Sequence, residues 1–162
     1  MKTIKSLFII MTITVLLISC KEQQKEVVTN KTEKADLSKE KETVLSVMKA
    51  YKDAIQNLTT EGTFELFTQD ATVFEQGKVE GTYKDYIDHH LGPELGHFKR
   101  FTFSNYKIDA TVNLPYAYTT ENYLYTIVLK GDKAKAIKER TIESKGVATS
   151  VLEKIEGEWK II

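Results

Sequence analysis

The chain has 162 residues, a length suited to one domain, and its 23 basic side chains balance its 23 acidic ones to a formal net charge of zero. This balance, without any basic block, argues against nucleic acid as a partner, because proteins that bind nucleic acids neutralise phosphates with clustered Lys and Arg. Cys20 is the only cysteine, so no disulfide can form within the chain and packing must supply the stability of the fold.

The first twenty residues have the features of an export signal. Lys2 and Lys5 precede an apolar stretch, residues 7–18, which is shorter than the ~20 residues needed to cross a membrane. This stretch leads into Leu17-Ile18-Ser19-Cys20, which resembles the lipobox of bacterial lipoprotein signal peptides. The resemblance implies that residues 1–19 are removed and that diacylglycerol and a further acyl chain, such as palmitate, are attached to Cys20.

Acylation at Cys20 would anchor the protein in a lipid bilayer, because two or three chains exceed the single chain that binds reversibly. We therefore expect a lipoprotein of the bacterial cell envelope, in the outer membrane or on the periplasmic face of the inner membrane. The alternative is an ordinary secreted protein with one free thiol. Residues 20–37 mix lysine with acidic residues and contain almost no large apolar side chains. They predict a flexible tether, which would be followed by one folded domain over residues 38–162.

The folded domain should begin with helices. Ser38 is a good helix N-cap, and apolar residues recur at helical spacing over residues 44–58, which predicts a long first helix. A shorter second helix is expected around residues 64–67. A third helix should begin at the capping residue Thr82, and Gly92-Pro93 should interrupt it, because proline cannot donate a backbone hydrogen bond.

A short strand at residues 71–75 precedes the third helix, and alternating apolar residues after Phe101 predict a series of long antiparallel strands. The alternation changes phase shortly after Phe103 and again at Glu121-Asn122. Such changes are typical of β-bulges, which bend sheets. Ser144-Lys145-Gly146 predicts a turn between two later strands. Together the elements predict an α+β fold in which three N-terminal helices pack on a strongly bent antiparallel sheet.

Two stretches, FTQDATVFEQGKVEG before the third helix and GVATSVLEKIEGEWKII at the C-terminus, resemble the SnoaL-like branch of the nuclear transport factor 2-like superfamily. The resemblance covers residues 40–162 and implies a cone whose curved sheet and helices enclose one pocket. It does not imply a single function, because this fold hosts isomerases, cyclases, dehydratases, hydrolases and binding modules.

All three histidines lie within residues 89–97. At ~100° per residue, His90, Glu94 and His97 fall on one face of a helix, with Tyr86 on the same side. Two imidazoles and a carboxylate could bind Zn²⁺ or Cu²⁺, although no established metal-binding spacing is present. The alternatives are that His90 and His97 are ordinary hydrogen-bonded residues at the rim of a pocket, or that they act directly as acid or base. No other cofactor is expected.

Glu75 and Tyr51 are the candidate catalytic residues. The strand ATVFE resembles the strand of ketosteroid isomerases that ends in the general base, which gives Glu75 that role and Tyr51 the role of oxyanion donor. The protonated acid that is the second donor in that family would fall near Ser150 or Val151, and neither can serve. Tyr51 also lies on the apolar stripe of the first helix, where a packed tyrosine is the structural alternative.

Tyrosines are concentrated in the second half of the chain, which favours either a cavity with flat apolar walls or simple cross-strand packing. Tyr118 is a candidate ligand contact, and Arg140 could bind a ligand carboxylate or pair with a carboxylate such as Glu75. The first hypothesis is a lipid-anchored envelope protein that binds a small molecule in the cone and is not an enzyme. The alternatives are a metal-binding envelope protein and an isomerase- or dehydratase-like enzyme. An open face of the sheet could also form a homodimer.

Overall fold

The computed structural model describes residues 20–162, so the predicted signal segment lies outside the described residues. Helix α1 spans Cys20–Gln56 and begins well before Ser38, where the sequence predicts its N-cap. The residues expected to form a tether are thus helical. Their lysines, glutamates and glutamines favour helix even where nothing is buried, and the stretch contains no glycine or proline. No helix among residues 20–162 is both long and apolar enough to span a bilayer.

The compact unit that contains the sheet spans Leu37–Ile162. In place of a full second helix it has a single 3₁₀ turn, Phe64–Leu66. Helix α2, Tyr83–Tyr86, begins at the predicted capping pair: the Thr82 hydroxyl accepts a hydrogen bond from the backbone N–H of Asp85, and the Asp85 carboxylate accepts one from that of Thr82. The local capping signal in the sequence is therefore confirmed.

The predicted interruption at Gly92-Pro93 is wrong, because the helix widens instead of ending. A π-helical turn, Ile87–Leu91, connects α2 to helix α3, Gly92–His97. The N–H of Gly92 donates to the carbonyl of Ile87, five residues earlier, and Pro93 then falls in the first turn of α3. Pro93 has no N–H to donate, and the π turn directly before it shifts the hydrogen bonding by one residue, so the helical path continues past the proline.

Two antiparallel sheets follow the expected order. Strands β1, Thr72–Glu75, and β2, Lys78–Thr82, form a hairpin whose turn residues Gln76 and Gly77 both have positive φ. Strands β3, Phe98–Asn113, β4, Tyr116–Leu129, β5, Arg140–Ile155, and β6, Glu158–Ile161, form a four-stranded sheet in the order β3-β4-β5-β6. The α+β prediction is confirmed.

The irregularities of the large sheet only partly match the prediction. The register of β3 on β4 shifts between Ser104 and Lys107, where a bulge is expected. The pairing of β4 with β5 has no shift, so the second bulge, predicted at Glu121-Asn122, is wrong. The turn predicted at residues 144–146 is also wrong, because Gly146 lies inside β5 opposite Tyr123. A Cβ on Gly146 would approach the Tyr123 ring to 2.1 Å, so this glycine gives space to a ring and does not reverse the chain.

Helix α1 packs on one face of the large sheet. Val44 and Met48 from the helix meet Ala117, Leu152 and Trp159 in one cluster. A second cluster, near the other end of the helix, brings residues of α1, α2, the π turn and α3 together with the first residue of β3; its buried members are Ile55, Ala71, Tyr83, Ile87, Leu91, Leu95 and Phe98. The side of the sheet that faces α1, called here the helix-facing side, carries the site described next.

Candidate functional site

A continuous row of aromatic rings lies on the helix-facing side of β3 and β4. We call it the aromatic row; neighbouring ring centroids are 4.8 to 6.2 Å apart, and its members are Phe101, Phe103, Tyr106, Tyr123 and Tyr125. Every ring is partly exposed and none is sealed in the core. The row therefore forms an accessible surface of flat apolar faces with hydroxyl tips, which suits a small ligand.

Glu121 lies on the same side of β4 and is only 7% exposed. Its carboxylate accepts a hydrogen bond of 2.5 Å from the Tyr106 hydroxyl, and Lys52 places its ammonium 5.5 Å from the centre of the Tyr106 ring. Burial raises the pKa of Glu121, although the bond from Tyr106 and the charge of Lys52 oppose the rise. Sequence reasoning missed this residue. The sequence does contain a sign of it: Glu121 is a charged residue at an alternate position of β4 that faces the same side as the buried Ala117 and Thr119.

A polar group around His90 is assembled from five short elements. We call it the carboxylate–histidine cluster; it consists of Glu75 at the end of β1, Glu80 in β2, Tyr86 at the end of α2, His90 in the π turn and Glu94 in α3. The Tyr86 hydroxyl donates to Glu75 Oε2 at 2.8 Å. His90 Nδ1 lies 3.0 Å from Glu80 Oε2, and its Nε2 lies 3.7 Å from Glu75 Oε2 and 3.4 Å from Glu94 Oε1.

The cluster favours a charged imidazole. The hydrogen bond to Glu80 raises the pKa of His90; partial burial works against the rise, and the charges of Glu75 and Glu94 add to it. Burial also raises the pKa of Tyr86, so its hydroxyl stays protonated and remains a donor to Glu75. The side chains of His90 and Glu75 are 27% and 33% exposed, so an incoming molecule can reach them.

The carboxylates of Glu75 and Glu121 both contribute to the raised pKa values of two tyrosines, Tyr51 and Tyr123. Burial is the main cause that raises the pKa of Tyr51 and of Tyr123, and in both tyrosines the charges of Glu121 and Glu75 add to it. Tyr51 itself packs edge-on against Phe67, with ring centroids 5.2 Å apart. Tyr51, Tyr86 from the carboxylate–histidine cluster, and Phe101 and Phe103 from the aromatic row all pack against the second core cluster, so the row and the carboxylate–histidine cluster border the same part of the core.

The structure brings some of the predicted site residues together and leaves others apart. Glu75, Tyr86, His90 and Glu94 meet in the cluster. His97, at the end of α3, is exposed and makes no ion pair with the cluster among the described residues. The π turn explains this separation, because its extra residue changes the helical phase between positions 90 and 97. Within residues 20–162 no group of three or more His, Cys, Asp or Glu side chains could hold a metal ion.

Tyr118 and Arg140 do not join the site. Tyr118 is 50% exposed and alternates to the side of β4 opposite Tyr123, where it pairs in register with Val151. Arg140 is exposed at the first residue of β5, and in the described part of the chain it forms no ion pair with Glu75.

Two open clefts lie elsewhere on the surface. One, of about 440 Å³, is lined by Leu58 in the segment after α1, by Leu95 in α3 and by Lys130 just after β4. The other, of about 330 Å³, lies beside the β3 bulge at Ser104 and Glu143. Neither is lined by the carboxylate–histidine cluster.

Solved structures with the same architecture come from several bacteria. A proposed ketosteroid isomerase from Shewanella frigidimarina NCIMB 400 is 24% identical over 72% of this chain and 87% of its own, with a TM-score of 0.57. A nuclear transport factor 2-like superfamily protein from Salmonella enterica is 17% identical over 77% and 87% of the two chains, with a TM-score of 0.63. A proposed dehydratase of the same family from Streptomyces avermitilis is 15% identical over 77% and 93%, with a TM-score of 0.63.

No protein-family model and no curated protein matches the sequence. The likeness to solved structures, all below 25% identity, concerns the fold. It confirms the nuclear transport factor 2-like architecture expected from the two sequence stretches, one before the third helix and one at the C-terminus. A shared fold does not determine an activity, so the activity must be argued from the site.

Proposed function

We propose that this chain, which has the nuclear transport factor 2-like fold, is a lipid-anchored protein of the bacterial cell envelope that binds a small molecule without transforming it. The ligand would lie on the aromatic row, with the carboxylate–histidine cluster fixing its polar end. The observation that carries the proposal is the hydrogen bond from Tyr86 to Glu75, 2.8 Å long and beside His90, in a cluster that borders the same core as the partly exposed aromatic row.

The partly exposed rings of the aromatic row favour binding, because covering them removes apolar surface from water at about 25 cal/mol per Å². Polar groups at one end of such a surface give a ligand its orientation. Glu75 and His90 supply an acceptor and a donor there, and both remain accessible.

The contacts of Glu75 and Tyr51 favour binding over catalysis. Glu75 Oε2 already accepts the Tyr86 hydrogen bond and faces His90, so the lone pairs that a general base needs are partly engaged. Tyr51 packs edge-on between Phe67 and Tyr83, with centroid distances of 5.2 and 6.1 Å. Its ring is held by the core, as a packed tyrosine would be.

The binding proposal is tested by native mass spectrometry of the full-length protein purified from its own envelope. We expect a co-purifying small molecule that is lost, without loss of folding, when Glu75→Gln and Tyr86→Phe are introduced together. A matched control is Tyr116→Phe, because Tyr116 is exposed and lies away from the helix-facing side. Retention of the same molecule by the double variant would contradict the proposal.

An isomerase- or dehydratase-like enzyme remains the second candidate, and one observation favours it. Glu121 is a buried carboxyl with a raised pKa, bonded to Tyr106, on the surface that Glu75 also faces. A protonated carboxyl of this kind could donate to an enolate oxygen while Glu75 removes a proton next to the carbonyl. A β,γ-unsaturated ketone would reveal this activity by the ultraviolet absorbance of its conjugated product. Conversion that Glu75→Gln abolishes would replace the binding proposal.

The anchor is a separate part of the proposal and rests on the sequence around Cys20. The expected mature protein begins at Cys20 with a diacylglyceryl thioether and an acylated amine, which intact mass measurement detects directly. Cys20→Ala should leave the protein unprocessed or soluble. Partition of the variant into detergent with the acylated mass would contradict the anchor.

A homodimer through the open sheet face is a further part of the proposal. The side of the sheet opposite α1 exposes Tyr118, Val147 and Val151, and Tyr118 and Val151 are paired neighbours on β4 and β5. Contiguous exposed apolar side chains favour association. Sedimentation should show a dimer that Val147→Lys dissociates; a monomer at all concentrations would contradict it.

A further inference from the structure

The proposed binding surface carries more negative than positive groups. Three carboxylates, those of Glu75, Glu80 and Glu94, surround the single imidazole of His90. Even a fully charged imidazolium therefore leaves the cluster negative. The ammonium of Lys52, which lies over the Tyr106 ring, is paired with Asp53 Oδ1 at 2.6 Å, so its charge is already balanced.

The rings of the aromatic row also favour a positively charged ligand. The faces of aromatic rings carry negative potential and attract cations, with the best contacts within about 6 Å of the ring centroid. The ammonium of Lys52, 5.5 Å from the centre of the Tyr106 ring, is an example of such a contact on this surface. The other rings of the aromatic row are partly exposed and could receive a second cation in the same way.

In the described part of the chain no arginine lies among the rings, and Lys52, whose ammonium lies over the Tyr106 ring, is already paired with Asp53. Arg140 is the only arginine on the pairing rows of the helix-facing side, and it lies two rows beyond Tyr125, opposite Leu129. It is exposed and outside the carboxylate–histidine cluster. A ligand carboxylate on the aromatic row would therefore meet the negative cluster at one end and no nearby arginine.

We propose that the ligand class of this surface is a small organic cation, an ammonium group attached to an apolar body. The ammonium would lie against Glu75, and the apolar body would cover the aromatic row. This inference rests on the proposed binding function and names its ligand. A divalent metal ion matches less well, because residues 20–162 contain no group of three suitable side chains that could hold one.

The test is calorimetric titration of the full chain, in mild detergent, with three probes that share one apolar body: phenethylamine, 2-phenylethanol and 3-phenylpropionate. We expect phenethylamine to bind at least about tenfold more tightly than the alcohol, because a hydrogen bond to a charged group exceeds a neutral one by about the free energy of one decade in affinity. The carboxylate should bind most weakly.

Variants locate the preference. Glu75→Gln keeps the size of the side chain and an acceptor oxygen but removes its charge, so it should remove the advantage of the amine over the alcohol. Glu61→Gln is the matched control, because Glu61 is exposed and its side chain makes no hydrogen bond among the described residues. Circular dichroism melts confirm that both variants fold.

Each other outcome of the titrations would refute a specific part of the proposal. Equal affinity for amine and alcohol would refute the cation class and leave small-molecule binding intact. Preference for the carboxylate, lost in Arg140→Gln, would replace the cation by an anion. An amine preference that survives Glu75→Gln but disappears in Glu121→Gln would refute the assignment to Glu75. No binding of any probe at millimolar concentration would refute the proposed function together with this inference.

Discussion

Substitution of Trp159 tests how the C-terminal strand closes the domain. The side chain is 3% exposed, packs with Val44, Met48 and Leu152, and donates from Nε1 to Glu40 Oε2 at 2.8 Å. Trp159→Ala removes both the ring and the hydrogen bond. Truncation of a buried tryptophan to alanine lowers the free energy of unfolding by about 3–5 kcal/mol, and we expect a loss in this range.

Trp159→Phe separates the two contributions. Phenylalanine keeps most of the apolar volume but leaves Glu40 without the indole donor. A hydrogen bond to a charged group contributes about 1.5–3 kcal/mol. Because the Glu40 side chain is 20% exposed and also binds Lys154, water and lysine replace part of the bond, so the lower end, about 1.5 kcal/mol, is expected.

The measurement is urea unfolding followed by far-ultraviolet circular dichroism, since Trp159 is the only tryptophan and the variants have no indole fluorescence. Glu40→Gln and the double variant with Trp159→Phe complete a cycle that isolates the indole–carboxylate coupling. A loss below about 1 kcal/mol for Trp159→Ala would refute the burial argument. Equal losses for alanine and phenylalanine would show that the bond, and not the ring, carries the stability.

Three other predictions concern the site. The pKa of His90 is raised in the folded state, so the charged imidazole stabilises the fold. The stability advantage of the wild type over His90→Asn should therefore be full below the unfolded pKa of about 6.5 and should disappear as pH rises through the folded pKa. A difference in melting temperature that does not change with pH would contradict this. Gly146→Ala should destabilise by about 1–3 kcal/mol, because its Cβ would overlap the Tyr123 ring, and Tyr123→Leu should relieve the loss in the double variant. Excess Zn²⁺ or Cu²⁺, added at a pH above the raised pKa of His90 so that its imidazole is neutral, should leave the melting temperature unchanged, and a rise that His90→Ala abolishes would restore the predicted metal site.

The features that sequence reasoning found are the ones fixed by neighbours along the chain. Thr82 and Asp85 cap a helix through contacts three residues apart. The alternation of β3 and its phase change after Phe103 report the bulge, because each strand residue faces one side only. Local periodicity and capping chemistry therefore determine the α+β order of elements.

The composition of the site was decided by tertiary structure. Glu80 and His90 meet because a hairpin and a π turn are brought side by side, and His97 is separated because that turn adds a residue. Gly146 resembles a turn residue along the chain, yet it lies in a strand because the Tyr123 ring of the neighbouring strand needs its space. Glu121 acquires its raised pKa from burial. These properties depend on side chains distant in sequence, whose contacts and desolvation exist only once the strands and helices have packed.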